Sequence, residues 1–581
     1  MEQALSRRVL VVIAVVIALA LIGLLLPTLS MKKSADLLLV NGRVYTLDDH
    51  GQLAEAMAIS NGRIVAVGSS ASIQESFTPA QVIDLHGLPV YPGFIDAHGH
   101  MEGLGSSLMN VDLRGASSLD EIRRRIAEEK ARKKPGQWIR GRGWDQNLWP
   151  SKAFPTHEDI DAAAGDIPVY LVRVDGHAVL VNQAVLNLAG ITKMTPEPPG
   201  GKILRHRNGE PTGVFVDNAI EMLAQVLPPP SVEDREEALE KAAAQCVSDG
   251  LTEVHDMGVD FDGLALYKQL FSGGKIPLRI YAVIEGPGKA WEEYQKSGPE
   301  INTFDGLLTV RAIKLYADGA LGSRGAALIE PYSDDPGNRG LTLTSSSDLK
   351  QIATSAAQKG FQVCVHAIGD RANSIVLEVY RDVFNSLHIK GLDYRFRVEH
   401  AQILEQSDIP RFHELGVIPS MQPTHCTSDM GWAEERLGPK RVAGAYAWQS
   451  LLKTGVVIPA GSDFPVENPN PLWGFYAAVT RQDQRGLPEG GWHPEERMTR
   501  EQALRSFTLW GAYAAFQESQ KGSIEPGKWA DLVVLSDDIM TIEPRNILDA
   551  SVGMTMVNGR MVYRSDRFPA HKSNGKDLAG Q

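Results

Sequence analysis

The chain has 581 residues, 43% of them apolar and 22% charged, with 55 glycines, the composition of a globular protein rich in turns. That length exceeds one simple core and suits a barrel of roughly 250 residues or more together with a second domain. A net charge of −13 without a long Lys/Arg run argues against nucleic acid as partner, and three widely spaced cysteines (Cys246, Cys364, Cys426) argue against a disulfide framework or a zinc-finger pattern.

In chain order, Arg7-Arg8 precede Val9 to Leu26, eighteen residues without charge and just long enough to span a bilayer. Residues 1–35 are therefore expected to be an uncleaved transmembrane anchor that places the rest of the chain outside the cytoplasm. A cleaved export signal is the second reading, with Thr28-Leu-Ser30 as a poor cleavage site.

Residues 36–90 read as short strands and turns, with Asn41-Gly42 and Asn61-Gly62 as hairpin signals. Residues 517–567 repeat that texture in Asp531-Leu-Val-Val-Leu, Met554-Thr-Met-Val and Asn558-Gly559. The two ends are expected to form one small β-sandwich, followed by a polar tail over 568–581.

Between them, over 91–516, strands alternate with helical stretches, the pattern of a parallel α/β fold. Eight strands are expected, ending near His100, Met257, Ile284, Asp318, His366, His400, Met421 and Asp463, which predicts a (β/α)8 barrel of TIM type. Thr499, with Gln502 three residues on, predicts a capping box at a final helix. The stretch 111–230 breaks the rhythm and is expected to be an insertion after the first barrel strand, on the face where loops set substrate choice.

The chemistry gathers at the strand ends. In Phe94-Ile-Asp-Ala-His-Gly-His100, period-2 alternation puts His98 and His100 on one side, half of a transition-metal site. Lys314, His366, His400 and Asp463 end later strands, at the face where barrel enzymes keep their reactive groups. Each alone has a plainer reading, as a core histidine, a lysine reaching for solvent or a turn aspartate; six in order along eight strands make that reading hard to hold.

This ordering resembles the amidohydrolase superfamily, and more closely its YtcJ-like, amidohydrolase-3 branch. The matching pieces are Pro92-Gly-Phe-Ile-Asp-Ala-His-Gly-His100, Lys314-Leu-Tyr-Ala-Asp-Gly-Ala-Leu-Gly-Ser323, His366-Ala-Ile-Gly-Asp-Arg-Ala372, Arg397-Val-Glu-His-Ala-Gln402 and Gly461-Ser-Asp-Phe-Pro465, with Asp175-Gly-His-Ala178 in the insertion and Gly522-Ser-Ile-Glu-Pro-Gly-Lys-Trp-Ala-Asp531 near the end. The resemblance implies one or two divalent metals, zinc being suited. His98 and His100 would hold one, His366 and His400 a second, and Lys314, often carboxylated in this family, would bridge them. Asp463 would be the general base that returns its proton to a leaving amine, and His400 would help hold the oxyanion.

The implied activity is hydrolysis of a non-peptide carbon–nitrogen bond in a small molecule, an amide, N-acyl or cyclic amide. Esters, lactones or phosphoesters at the same site form one alternative; a catalytically silent, membrane-tethered binding protein forms another. Substrate contacts are expected from His177, Trp144, Arg324 and Gln422, with Asn182 and His425 as further candidates; His255 reads as structural. The tryptophans Trp138, Trp144, Trp149 and Trp432 suit either an aromatic pocket or the core. The architecture is compatible with a homodimer.

Overall fold

The computed structural model describes residues 13–14, 32–134, 136–173, 178–198 and 201–568. They divide into two units: the described parts of Met1–Gly93, Gln517–Asp538 and Ser551–Gln581 form one, and those of Phe94–Phe516 and Ile539–Ala550 the other. The anchor expected over 9–26 lies outside the described residues, Ile13 and Ala14 excepted. Among the described residues no helix is long and apolar enough to cross a membrane.

Both chain ends build the first unit. One sheet joins Lys33–Val40, Ala56–Ser60, Arg63–Gly68 and Phe77–Asp84; a second places Pro89–Pro92 beside Leu532–Leu535 and continues through Val552–Val557 to Arg560–Arg564. Alternate apolar residues of both sheets, among them Leu37, Leu39, Ile59, Val90, Val534 and Met554, share one buried core. Asn61-Gly62 and Asn558-Gly559 turn hairpins, both residues of each pair having positive φ as a type I′ turn needs. Asn41-Gly42 does not. It is a corner that carries the chain from the first sheet to Arg43–Tyr45 in the second, held where Asn41 Nδ2 donates to Asp84 at 2.9 Å. Residues 539–550, expected in the sandwich, belong to the second unit, where the Arg500 guanidinium donates to the carbonyls of Ile539 and Ile542.

In the second unit seven parallel strands pair in chain order: β1 (Phe94–Gly99), β2 (Leu251–Val259), β3 (Arg279–Glu285), β4 (Leu308–Tyr316), β5 (Gln362–Ala367), β6 (Arg397–His400) and β7 (Ile418–Ser420). The expected eighth strand, Val456 to Asp463, is not a regular strand. Pro459 lacks an N–H for a ladder, and the segment closes the ring with single bonds instead. Met421 N donates to Pro459 O at 3.1 Å, Ala97 N to Ala460 O at 3.0 Å and Asp463 N to His98 O at 2.7 Å. The result is a TIM-type α/β barrel. Ser231, Asp260 and Ser345 cap three of the helices between the strands, and the reciprocal Thr499–Gln502 box opens Arg500–Ser506 after the closing segment.

The stretch after β1 forms its own six-stranded mixed sheet, from Val111–Asp112 at one edge to Gly201–Arg205 at the other, with separate apolar cores.

The helix Met101–Met109 has His100 as its N-cap residue and lies against the helix Val232–Ser248. At their closest approach a Cβ on Gly105 would stand 1.8 Å from the Ala238 carbonyl oxygen. Gly105→Ala is expected to lower stability by about 1–3 kcal/mol, as overpacking does, read as a fall in urea midpoint. Gly288→Ala, where a Cβ meets open space, is expected to leave the midpoint nearly unchanged.

Candidate functional site

The six strand-end residues converge. The ring centroids of His98 and His400 are 4.9 Å apart, those of His366 and His400 4.5 Å, and those of His98 and His100 5.6 Å. Lys314 Nζ stands 3.3 Å from His98 Nε2. Asp463 faces them all: its Oδ1 is 3.0 Å from His100 Nε2 and 3.6 Å from His98 Nε2, while its Oδ2 is 3.2 Å from His425 Nε2. The spacer in His98-Gly99-His100 is glycine for a steric reason, since a Cβ there would lie 2.5 Å from the Phe464 ring.

The rings are held so that Nε2 looks inward. His98 Nδ1 bonds Glu399 Oε2 at 2.6 Å, His100 Nδ1 donates to the Met257 carbonyl at 2.9 Å, and His400 Nδ1 bonds Gln422 Oε1 at 2.8 Å. Each of these acceptors fixes the proton on Nδ1 and leaves a lone pair on Nε2. His366 differs: its Nε2 lies 3.7 Å from Asp318 Oδ1, buried and without a hydrogen-bond partner. Burial and the Lys314 ammonium push His98 down to about 4 and His366 down to about 3, and burial beside His366 carries His400 well below the imidazole range. Neutral imidazoles are what a metal requires.

Two ligands of a tetrahedral ion bound at about 2.0–2.1 Å lie roughly 3.3 Å apart. The separations of 3.0, 3.6 and 3.2 Å around Asp463 bracket that edge. Donor atoms of His98, His100 and Asp463 lie within 4.8 Å of one another, and so do those of His400, His425 and Asp463. The donor set therefore fits a divalent cation, with Asp463 common to both groups. His366 falls outside these two groups, and His425 stands in one of them.

Backbone geometry is bent to achieve this. On a strand of period 2, Arg397 and Glu399 share the inward face and His400 has the wrong parity. A φ of 74° at His400 turns the chain at the strand end and brings the ring in, and Asp463 has φ 60°. Left-handed conformations at non-glycine residues cost of order 1–3 kcal/mol each. Asp96 ties β1 to the closing segment by accepting from Ser462 Oγ at 2.6 Å and from His98 N at 3.0 Å. Asp318 accepts from the backbone of Ala327, Ile368 and Gly369, which pins the loop after β4 to the end of β5.

The substrate contacts expected from sequence fare differently. Trp144 is 1% exposed and its Nε1 donates to Leu171 O at 2.9 Å inside the insertion's core, so it does not line a mouth. Trp149 shares that core, and Asn182 is a buried staple between Val169 and Ile167. Arg324 is already paired with Asp334, Nη2 to Oδ2 2.9 Å. Gln422 is buried and orients His400. His177 lies outside the described residues. The cleft beside His100, about 450 Å³, is walled instead by Glu102, Arg235, Asp256, Met257, Tyr267 and Glu285.

Sequence reasoning missed Glu399 and Arg397 as members of the site. Their alternation on β6, two charged residues on one face of a barrel strand, was the available signal. Arg397 is fully buried, pairs with Glu399 (Nε to Oε1 2.7 Å) and donates to Ala97 O at 2.6 Å and Ser420 Oγ at 2.8 Å. His255 completes this interior layer, 2.9 Å from Arg397 Nη1.

Residues 81–563 match the model of the family described as amidohydrolase family. The chain is 33% identical over 531 residues to the putative amidohydrolase YtcJ of Bacillus subtilis, covering 90% of this chain and 98% of that protein. It is 30% identical over 552 residues to an N-substituted formamide deformylase of Arthrobacter pascens, covering 92% and 99%. Among solved structures, an uncharacterized metal-dependent hydrolase from Pyrococcus horikoshii superposes with a TM-score of 0.72 at 29% identity, over 87% of this chain and 99% of that one. With the barrel and the ordered strand-end ligands already in place, the conclusion is direct: the chain belongs to the amidohydrolase family, in its YtcJ-like branch, and is a hydrolase of carbon–nitrogen bonds.

Proposed function

We propose that the chain is a metal-dependent amidohydrolase acting on a small N-substituted amide, with formamides as the first class. The carrying observation is the cluster of imidazoles around one ionised carboxylate: burial keeps His98, His366 and His400 neutral, while burial would lower His100 and His425 but the Asp463 carboxylate beside them raises both. A formamide is favoured by the likeness to the Arthrobacter pascens deformylase over almost its whole length, and a cleft of about 450 Å³ suits a small molecule.

His98, His100 and Asp463 would hold one zinc ion, and His400, with His425 or His366, a second. Bound there, the metal supplies Lewis acidity and lowers the pKa of water toward about 7. Burial lowers the pKa of Lys314, which favours the neutral amine that carboxylation by carbon dioxide requires. Burial would raise the Asp463 carboxyl, but His98, His100 and His425 around it hold it well below the usual range, so it is ionised. In the reaction Asp463 takes the proton of the attacking water and delivers it to the nitrogen of the departing amine. His400, kept in one tautomer by Gln422 at its Nδ1, offers its Nε2 lone pair to a metal.

Incubation with N-substituted formamides, beside matched acetamides and esters, is expected to release formate and amine in equal amounts. Ester turnover without amide turnover would sink this reading. Chelator treatment is expected to abolish the activity and zinc to restore it, with metal content followed by elemental analysis. Asp463→Asn is expected to lower kcat about 10²–10⁴-fold, the usual range for a lost acid–base group. Glu399→Gln is expected to weaken metal binding about 10–100-fold, as lost outer partners of metal-bound histidines do, measured by competition with a chromogenic chelator.

A further inference from the structure

A second set of ligand-type side chains sits in the insertion, where the expected chemistry has no use for it. His157 is the N-cap residue of the helix Glu158–Ala164, and His206 opens the turn between strands Gly201–Arg205 and Pro211–Asp217. Backbone bonds set both in place: His157 N donates to Thr212 O at 2.7 Å and His206 N to Glu210 O at 2.8 Å. The rings stand nearly perpendicular, 89° between planes.

One oxygen of Glu158 lies between them. Oε1 is 3.3 Å from His157 Nε2 and 3.2 Å from His206 Nε2. These lengths match the roughly 3.3 Å edge of a tetrahedral ion with bonds of about 2.0–2.1 Å, and all three donor atoms fall within 4.8 Å of one another. The hydrogen bonds in place satisfy only the outer side of the arrangement. His157 Nδ1 is 2.8 Å from Asp161 Oδ2, an acceptor that places the ring proton on Nδ1 and turns the Nε2 lone pair toward the Glu158 oxygen. His206 Nε2 is buried and has no hydrogen-bond partner despite its closeness to Glu158. Two acceptors facing each other at this distance repel unless a cation or proton lies between them. The carboxylate behind His157 is also the outer partner that metal-bound histidines commonly have. Gln183, Asn187 and Thr192 line the open side, leaving a polar approach for a water ligand.

We propose that His157, Glu158 and His206 bind a transition-metal cation of the zinc class, at a site separate from the barrel centre, clamping the helix Glu158–Ala164 to the hairpin of Gly201–Arg205 and Pro211–Asp217. The ligand set of two imidazoles and one carboxylate suits zinc above calcium or magnesium, which take oxygen cages.

The full-length chain, carrying its own barrel metal, is dialysed against zinc and its ion content counted beside Glu158→Gln and His206→Asn. The parent is expected to hold one ion per chain more than either variant, whatever number the barrel holds. Asp161→Asn is expected to bind that ion about 10–100-fold more weakly. Zinc is also expected to slow amide hydrogen exchange over 201–212 in the parent alone, and amide hydrolysis is expected to be equal in all four proteins. Glu158 is half exposed, so Glu158→Gln tests the site without emptying a core. Equal ion counts in parent and Glu158→Gln, or zinc-independent exchange over 201–212 in the parent, would overturn the proposal and leave a protonated histidine as the bridge. Loss of hydrolysis together with the extra ion would also overturn it, by showing that the two sites are not separate.

Discussion

The barrel centre depends on one buried ion pair, Arg397 with Glu399. Each is taken wholly out of water, a transfer that costs several kcal/mol per ion even after relaxation, and removing one partner of such a pair typically costs 3–5 kcal/mol. The pair is tolerable because the two charges lie against each other, Nε to Oε1 2.7 Å, and the other guanidinium nitrogens and carboxylate oxygen are hydrogen-bonded. The guanidinium reaches Ala97 on β1 and Ser420 on β7, and the carboxylate turns to His98. Burial would raise the Glu399 carboxyl, but the Arg397 guanidinium holds it well below the usual carboxylate range. A fixed negative charge behind His98 sets the ring's tautomer, and that tautomer sets where the lone pair points. The ion pair thus links the strands that frame the centre to the electronic state of its first ligand.

Much of this was legible in the chain because it follows from short-range rules. Alternation put His98 and His100 together, and the order of His, Lys and Asp at successive strand ends marked the barrel's working face. What escaped depended on distant partners. Nothing local to Val456–Asp463 says that a proline-bearing segment will close a barrel by isolated bonds, since the groups it bonds belong to residues 97, 98 and 421. Trp144 could not be assigned to core or mouth without knowing that Leu171 and Trp149 receive it. Asn41-Gly42 has the chemistry of a hairpin turn but serves as a corner, because the strand that pairs with Lys33–Val40 comes later. His400 has the wrong parity for its role, and only the positive φ at the strand end corrects it.

The insertion is a folded layer in its own right, not a loose loop. Its sheet has apolar cores of its own, and its tryptophans Trp144 and Trp149 are spent on packing. The walls of the cleft beside His100 come from the ends of β2 and β3, from the helices that flank them, and from Pro229 and Pro230 at the end of the insertion. Those walls carry Glu102, Arg235, Asp256 and Glu285, with the Arg235 guanidinium held between Glu102 and Asp260. The cleft beside His100 is therefore polar, with one cation among several carboxyl groups.

The first unit has a consequence for biosynthesis. Its second sheet pairs Pro89–Pro92 with Leu532–Leu535, neighbours separated by 440 positions of chain (532 − 92). At roughly 5–20 residues per second, the usual pace of translation, the edge of Pro89–Pro92 waits on the order of 20–90 s for its partner. During that interval Leu37, Leu39, Ile59 and Val90 lack half of the core they share with Val534 and Met554. A ribosome-bound chain therefore exposes an open apolar face and an unpaired strand edge until its last tenth emerges, which makes it a natural client for chaperones.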